Sequence, residues 1–374
     1  MTDRREKPGK PSAAPGNGPA AKRRATSARV TIKDVAEHAG VSLGTASNVL
    51  NRPEVVAPAT LERVLAVIDR LGFVRSSAAH QMRGGASRCF GAVVLDASNP
   101  FSTEIIRGLE DGVNEQGCAV VVCSSDGSPE REANYLRLLE EQRVQGIVIT
   151  PATRSVRHLE TLRDRGTLVV LLDRRSKDGE LCSVSVDHAR GGELAGRHLF
   201  ELGHRRIAFI NGPLHLTQCG ERRRGIRRAA RQAGLDPDEC IIEYTIDPIT
   251  AFDQALVAVD SLLALPDRPT GVVCVDDRIA FIVLRELAER RIRVPRDISV
   301  VGYDDVDFAA MFSPTLTSIR QPKYELGRAA ARLLIEETVD ANHRHGDIRF
   351  EPELIARQST TARARLKQYS PRGD

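Results

Sequence analysis

From Cys89 onward the chain alternates short, almost fully apolar runs with amphipathic segments, and this alternation limits the folds open to it. Strands are expected at FGAVVLD, CAVVVCSS, GIVIT, TLVVLLD, RIAFING, CIIEY, GVVCVD and ISVVGYDD. Helices are expected from Ser102 to Gln116, Glu130 to Arg143, His188 to Leu202, Glu221 to Ala233, Thr250 to Leu263, Arg278 to Arg290 and Tyr324 to Glu337. Strands apolar on both faces and separated by helices belong in parallel sheets covered on each side. Roughly 270 residues of this pattern exceed one doubly wound sheet, so two α/β lobes are expected. In such lobes a ligand lies beyond the carboxyl ends of the strands.

Ahead of this body stands a different kind of segment, Thr31 to Asn51, TIKDVAEHAGVSLGTASNVLN. Thr31 can cap a helix whose Ile32, Val35, Ala36 and Ala39 fall on one face, and Gly40 can end it in the left-handed conformation. Ser42 can cap a second short helix that buries Ala46, Val49 and Leu50. Two short helices around a glycine-containing turn make a helix-turn-helix. The second leaves Leu43, Gly44, Thr45, Ser47, Asn48 and Asn51 facing outward. That face is small and polar and carries no acid, so it can enter a major groove without repelling phosphate. A third helix is expected after Val55 and Val56, starting at Pro58, with Leu61, Val64, Leu65, Ile68 and Leu71 inward and Gly72 as its stop.

Charge separates the two parts. Residues 1–88 hold 15 Lys+Arg against 7 Asp+Glu, a net +8, while the rest of the chain is net −4. One module suits a polyanion and the other does not. Residues 1–29 read as a disordered basic tail, in which Lys22, Arg23, Arg24 and Arg29 could touch phosphates loosely or simply be solvated. Residues 75–88, RSSAAHQMRGGASR, read either as a bland linker or as a hinge that orders on DNA and places an apolar side chain in the minor groove. Residues 361–374 read as a tail without the heptads of a coiled coil.

The seven cysteines form no C-x-x-C pair and no zinc spacing. Buried free thiols in a reducing cytosol are expected, with no metal and no cofactor. The first 29 residues lack the apolar core of a signal peptide, and no apolar run approaches the ~20 residues of a membrane span. A soluble cytoplasmic, nucleoid-associated protein is expected.

The order of helix-turn-helix, hinge and two-lobed body resembles the lactose/galactose-repressor (LacI/GalR) family of bacterial transcription regulators. The likeness is carried by TIKDVAEHAGVS with TASNVLN, the NPF step at Asn99-Pro100-Phe101, RVQGIVI, ELGHRRIAFINGP, RVPRDISVVGYDD and SPTLTSIRQP, from about Val30 to about Thr360. It implies an all-α DNA-binding domain over 30–74, a hinge helix over 75–88, and a periplasmic-binding-protein-like effector domain over 89–360. Lobe 1 would take about 89–188 plus 321–348, and lobe 2 about 189–320 plus 349–360. It also implies a homodimer on a near-palindromic operator in double-stranded DNA.

By the same likeness Leu43 and Gly44 occupy base-reading positions, Thr45 and Ser47 hold phosphates, and Asn48 faces a base edge. Thr31, Ser42 and Asn51 complete that face. Ser77, Ala79, His80, Met82 and Arg83 are the hinge contacts, with Met82 in place of the usual wedge leucine and His80 in place of an arginine. Ala57 replaces the customary Ser or Thr cap of the third helix. The effector positions are Phe101, Ser102, Asp126, Thr150, Asp173, Arg174, Asp187, Gln218, Arg222, Ile246, Asp276 and Asp304. Carboxylates with one or two arginines suit the paired hydroxyls of a sugar or related polyol, and Phe101 and Ile246 suit its C–H face. Asp277 and Asp305 are expected to cap helices instead, and Asp187 could do the same.

A second reading, an α/β enzyme with an accessory helical domain, lacks a G-x-S-x-G elbow, a P-loop lysine and a dinucleotide glycine fingerprint. A transport-type binding protein does not fit the fused basic module. The expectation is therefore a non-enzymatic, effector-controlled DNA-binding regulator.

Overall fold

A computed structural model of the chain describes residues 30–74, 87–176, 179–247, 251–340 and 342–363. The chain divides into two compact units, residues 1–85 and 86–374.

In the first unit, α1 (Ile32–Ala39), α2 (Leu43–Asn51) and α3 (Pro58–Leu71) enclose a small core of Val35, Ala39, Val49, Val64 and Val67. Gly40 and Gly72 both take φ +62°, which no branched side chain adopts cheaply, and so stop α1 and α3 as expected. Ser42 caps α2 by accepting from Thr45 N at 3.0 Å, whereas Ala57 gives α3 no side-chain cap. Two core expectations need correction. Leu50 is only half-buried, and Leu65 is 45% exposed because the inward stripe of α3 runs through Val64 and Val67 instead.

The second unit holds two six-stranded sheets. Its first half runs β1 (Cys89–Val94), α4 (Pro100–Asn114), β2 (Ala119–Ser124), α5 (Pro129–Glu141), β3 (Gly146–Ile149), α6 (Arg157–Asp164), β4 (Leu168–Leu172) and β5 (Cys182–Val186). The chain then crosses into α7 (His188–Glu201), β6 (Ile207–Asn211), α8 (Thr217–Gln232), α9 (Pro237–Cys240), β7 (Ile241–Thr245), α10 (Ala251–Ala264), β8 (Gly271–Cys274), α11 (Asp277–Glu289), β9 (Ser299–Asp304) and β10 (Thr317–Arg320). It returns through α12 (Lys323–Val339) and β11 (Asp347–Phe350) to the first sheet, and ends in β12 (Glu353–Ile355) on the second.

The first sheet has the order β11-β5-β4-β3-β1-β2 and is parallel throughout. The second has the order β12-β10-β9-β8-β6-β7, and only β12 runs antiparallel. Each sheet is covered on both faces, with separate apolar clusters beneath its helices. Each lobe also contains one very close helix pair. Between α7 and α8 a Cβ on Gly192 would strike the Arg222 carbonyl and one on Gly225 the Ala189 carbonyl, so both positions need a residue without a side chain. This approach sets the position of Arg222. Among the described residues no helix is long and apolar enough to cross a membrane.

Candidate functional site: recognition helix and interlobe cleft

The first unit presents α2 as its candidate reading surface. Leu43 is 46% exposed, Gly44 and Asn48 are exposed, and Thr45 and Ser47 are half-buried. Ser42 and Thr45 share a hydroxyl contact of 2.9 Å, so both are held at the start of the helix. Asn51 donates Nδ2 to Ser47 O at 2.8 Å and to Ser47 Oγ at 3.1 Å, which directs its amide along its own helix. Thr31 donates its backbone N–H (2.7 Å) and hydroxyl (2.8 Å) to Asp34 Oδ2. Those bonds hold the Asp34 carboxyl below its ordinary range. Ser77, Ala79, His80, Met82 and Arg83 lie outside the described residues.

In the second unit a cavity of about 130 Å³ opens between the carboxyl ends of the two sheets. Nine expected effector positions line it: Phe101, Ser102, Thr150, Asp173, Gln218, Arg222, Ile246, Asp276 and Asp304. The other three do not. Asp126 is pinned by Arg131 and by Ser124 Oγ (2.7 Å). Arg174 turns toward the Thr153 carbonyl (2.6 Å) and the Arg154 carbonyl, lining a neighbouring cavity. Asp187 caps α7 by accepting from Arg190 N (2.8 Å) and pairs with Arg349 at 2.8 Å.

Four side chains form a buried chain across the cleft. Asp173 follows β4 with φ +58°, and its Oδ1 accepts from His188 Nε2 at 2.5 Å. The Tyr303 hydroxyl reaches the other nitrogen of that ring at 3.4 Å. The Arg222 guanidinium lies 3.7 Å above the Tyr303 ring centroid, a cation–π contact. Arg222 also donates Nη1 to the Val275 carbonyl at 2.5 Å, while its Nε is buried without a partner among the described residues. Burial works to raise the Asp173 carboxyl, but His188 and Arg222 outweigh it and hold the group below its usual value. Burial pushes the Tyr303 hydroxyl up, so it stays protonated.

The remaining acids behave differently. Asp304, at φ +107°, accepts from Gln321 Nε2 at 2.7 Å. Burial, reinforced by Asp276 and Asp277, drives its carboxyl well above the ordinary range despite Arg222. Asp276 is also raised by burial, although its Oδ1 accepts from Ile279 N at 2.8 Å. Thus Asp276, not Asp277, caps α11. Asp277 accepts from Ser318 Oγ (2.6 Å) and Val306 N (2.9 Å), tying the ends of β9 and β10 to α11. Asp305 caps no helix either; its Oδ2 accepts from Arg320 Nε at 2.8 Å and its Oδ1 pairs with Arg357 at 2.6 Å. Left-handed backbone at Asp173, Asp304 and Asp305 costs energy that the surroundings must offset, and such residues cluster where a site is shaped.

Sequence reasoning missed the lining residues Asp96 and Arg278, and Lys323, which supports the wall without lining it. Asp96 and Arg278 form an ion pair of 2.8 Å that joins the lobes at the cleft. Lys323 is buried and donates to the Asp304 and Asp305 carbonyls at 3.2 and 2.8 Å, holding that left-handed turn. Asp96 could have been found from the rule that applied to Asp173, since both end an apolar run. Nothing local distinguishes Arg278 or Lys323 from an ordinary helical residue.

A helical DNA-reading module in one chain with a two-lobed α/β body, whose cleft has a largely apolar wall with charged groups set into it, defines the class of ligand-responsive DNA-binding regulators. Comparison narrows it. Residues 31–76 match the bacterial regulatory proteins of the lacI family, and residues 197–360 match the periplasmic binding protein-like domain. The HTH-type transcriptional repressor PurR of Photobacterium profundum is 34% identical over 330 residues, covering 88% of this chain and 98% of that protein. The PurR of Vibrio atlanticus is 35% identical over 331 residues, covering 88% and 98%. The chain belongs to the lacI family of bacterial regulatory proteins. Among solved structures, the lac repressor dimer bound to operator and the anti-inducer ONPF has a TM-score of 0.75 at 26% identity, covering 89% of this chain and 99% of that one. The complex of the transcriptional regulator CelR with cellobiose has a TM-score of 0.65 at 30% identity, covering 88% and 100%. An Enterococcus faecium LacI-family regulator with bound ribose has a TM-score of 0.67 at 29% identity, covering 73% and 99%.

Proposed function

We propose that this protein is a homodimeric transcriptional repressor that reads a near-palindromic operator through α2 and releases or tightens its grip when a neutral, polyhydroxylated small molecule fills the cleft. It is a regulator and not an enzyme. The observation that carries the effector class is the balance of charge around Arg222. Asp173 is held ionised beside it, while Asp276 and Asp304 are driven toward the neutral form by burial. The pocket thus offers two cations, Arg222 and Arg278, two carboxylates, Asp173 and Asp96, and two carboxyl groups, Asp276 and Asp304, whose charged form burial disfavours. Such a set suits vicinal hydroxyls and disfavours a strongly anionic ligand. Phe101, Leu216 and Ile246 supply apolar wall. The sugar-bound relatives point the same way. Effector binding between the lobes would bias their relative angle, and with it the affinity for DNA.

A thermal-shift screen of neutral sugars and nucleobases tests this, followed by operator titration with each hit. A sugar should raise the melting temperature of the wild type and change operator affinity, and Arg222→Ala should lose both responses while keeping DNA binding. Hits confined to nucleobases would replace the polyol reading. An unaltered response in Arg222→Ala would remove Arg222 from the site.

A further inference from the structure

Away from the cleft, at the opposite end of the first sheet, four metal-ligating side chains meet. Cys182 opens β5, Glu337 lies in the last turn of α12, and His343 and His345 sit on the crossover from α12 to β11. Their ligand atoms all lie within 4.8 Å of one another. Cys182 Sγ is 3.2 Å from His343 Nε2 and 3.6 Å from His345 Nδ1, and that Nδ1 is 3.9 Å from Glu337 Oε1. Around a tetrahedral ion with metal–sulfur bonds of about 2.3 Å and metal–nitrogen bonds of about 2.05 Å, neighbouring donors stand about 3.3–3.6 Å apart. The spacings found here need only small adjustment to receive such an ion. The cleft lies at the carboxyl ends of the strands, whereas Cys182 opens β5 at its amino end, about 13 Å from the other end of that strand at 3.3 Å per residue, so this cluster is a separate place in the molecule.

The Cys182 thiol hydrogen-bonds the Glu337 carboxylate, yet hydrogen bonding leaves one buried oxygen of the cluster unaccounted for. The Glu337 side chain is 9% exposed, and its Oε2 is buried with no hydrogen-bond partner among the described residues. A cation would supply that partner. We propose that Cys182, Glu337, His343 and His345 bind a divalent transition metal of the zinc class, which staples the 342–346 segment to the edge of the first sheet. The charges balance, because a thiolate and a carboxylate offset the 2+ ion while the imidazoles coordinate neutral. The thiol proton leaves to solvent as the Sγ–metal bond forms. Sequence spacing concealed the set: only the His-x-His pair is local, and the fold brings Cys182 to it from far upstream.

Tag-free full-length protein, stripped with chelator and titrated with Co²⁺, tests the site. The expected result is one Co²⁺ per chain with a thiolate-to-cobalt charge-transfer band and tetrahedral d–d bands, displaced by Zn²⁺, and a melting temperature raised by Zn²⁺. Cys182→Ser should lose the charge-transfer band. His343→Ala, on a half-buried crossover where loss of the ring leaves the core intact, should weaken Co²⁺ binding at least about tenfold, the lower bound for disturbing even an outer-shell partner. Absence of the band in the wild type overturns the proposal. So does an equal band in Cys182→Ser, which would place Co²⁺ on another cysteine, or unchanged affinity in His343→Ala.

Discussion

Arg278 of the second lobe and Asp96 of the first meet at 2.8 Å across the cleft, and Ser98 Oγ accepts a further bond from the same guanidinium at 3.1 Å. Opening the lobes must break this pair, so it adds its own strength to the closed arrangement. Both side chains keep some solvent contact, and pairs of that kind contribute about 0.2–1 kcal/mol. Because each side chain also lines the cavity, single substitutions mix two effects. A double-mutant cycle of Asp96→Asn and Arg278→Gln, read on effector affinity, separates them. The expected coupling is about 0.2–1 kcal/mol, equivalent to an affinity change of about 1.4- to 5-fold, shrinking in high salt. A coupling of zero would show that the pair does not help to hold the lobes together.

Gly192 governs a second link between packing and site. A Cβ there would overlap the backbone carbonyl of Arg222, and backbone cannot step aside as a flexible side chain can. Gly192→Ala should therefore push α8 away from α7, cost about 1–3 kcal/mol of stability, and move the Arg222 guanidinium off the Tyr303 ring. Urea unfolding combined with effector titration checks this, with at least tenfold weaker effector binding expected. A variant of wild-type stability and affinity would mean that the helix pair can shift without disturbing the cleft.

Much of this arrangement could be read from the residue pattern, because buried parallel strands are apolar throughout and Asp residues that end them mark the cleft. What escaped did so for physical reasons. β5 reads CSVSV, and its Ser183 and Ser185 are buried yet polar. The Ser183 hydroxyl is satisfied by Asp347 Oδ1 at 2.7 Å on the strand alongside, a partner that only the fold reveals. α6 buries just Leu159 and Leu162, too few apolar positions for a helical stripe to stand out. α8 begins at Thr217 rather than Glu221 because Gln218 and Cys219 already lie on its buried face. Asp126, Arg174 and Asp187 fell outside the cavity because a neighbouring arginine, two carbonyls and a helix N-terminus claimed them, and those partners are set by tertiary geometry.

Asp277 gives the protein a pH dependence with a definite sign. Burial, opposed by its bonds from Ser318 and Val306, raises its carboxyl from 3.8 to about 7. The folded state therefore holds a proton that the unfolded state releases. The stability this contributes is fully present below about pH 4 and is lost as pH rises through about 7. The full shift corresponds to several kcal/mol, on the order of 4. Asp277→Asn keeps an acceptor for Val306 N, can donate its Nδ2 to a Ser318 hydroxyl turned to accept, and cannot ionise. Relative to wild type, the variant should gain stability between pH 4 and 7 and hold a constant advantage above that. Urea midpoints at matched pH values measure this, and parallel curves for the two proteins would show that Asp277 has the same pKa folded and unfolded.

The reading face of α2 makes the last prediction. Asn48 is exposed, while Asn51 has its amide directed to Ser47 on the same helix. The two asparagines should therefore differ, although both belong to the outward face of the helix. An Asn positioned to bond both edge atoms of an adenine discriminates by about 1–3 kcal/mol, so Asn48→Ala should lower operator affinity about 5- to 150-fold and relax preference at the base pair it faces. Asn51→Ala removes a bond within the helix and should weaken all DNA sequences alike, by a smaller factor. The slope of log affinity against log salt, which counts displaced counterions, should be the same for wild type and Asn48→Ala, since a base contact releases none. Fluorescence anisotropy on operator and scrambled duplexes over a salt series measures all three quantities. An Asn48→Ala loss that is equal on both duplexes, or that flattens the salt slope, would reassign Asn48 to the phosphate backbone.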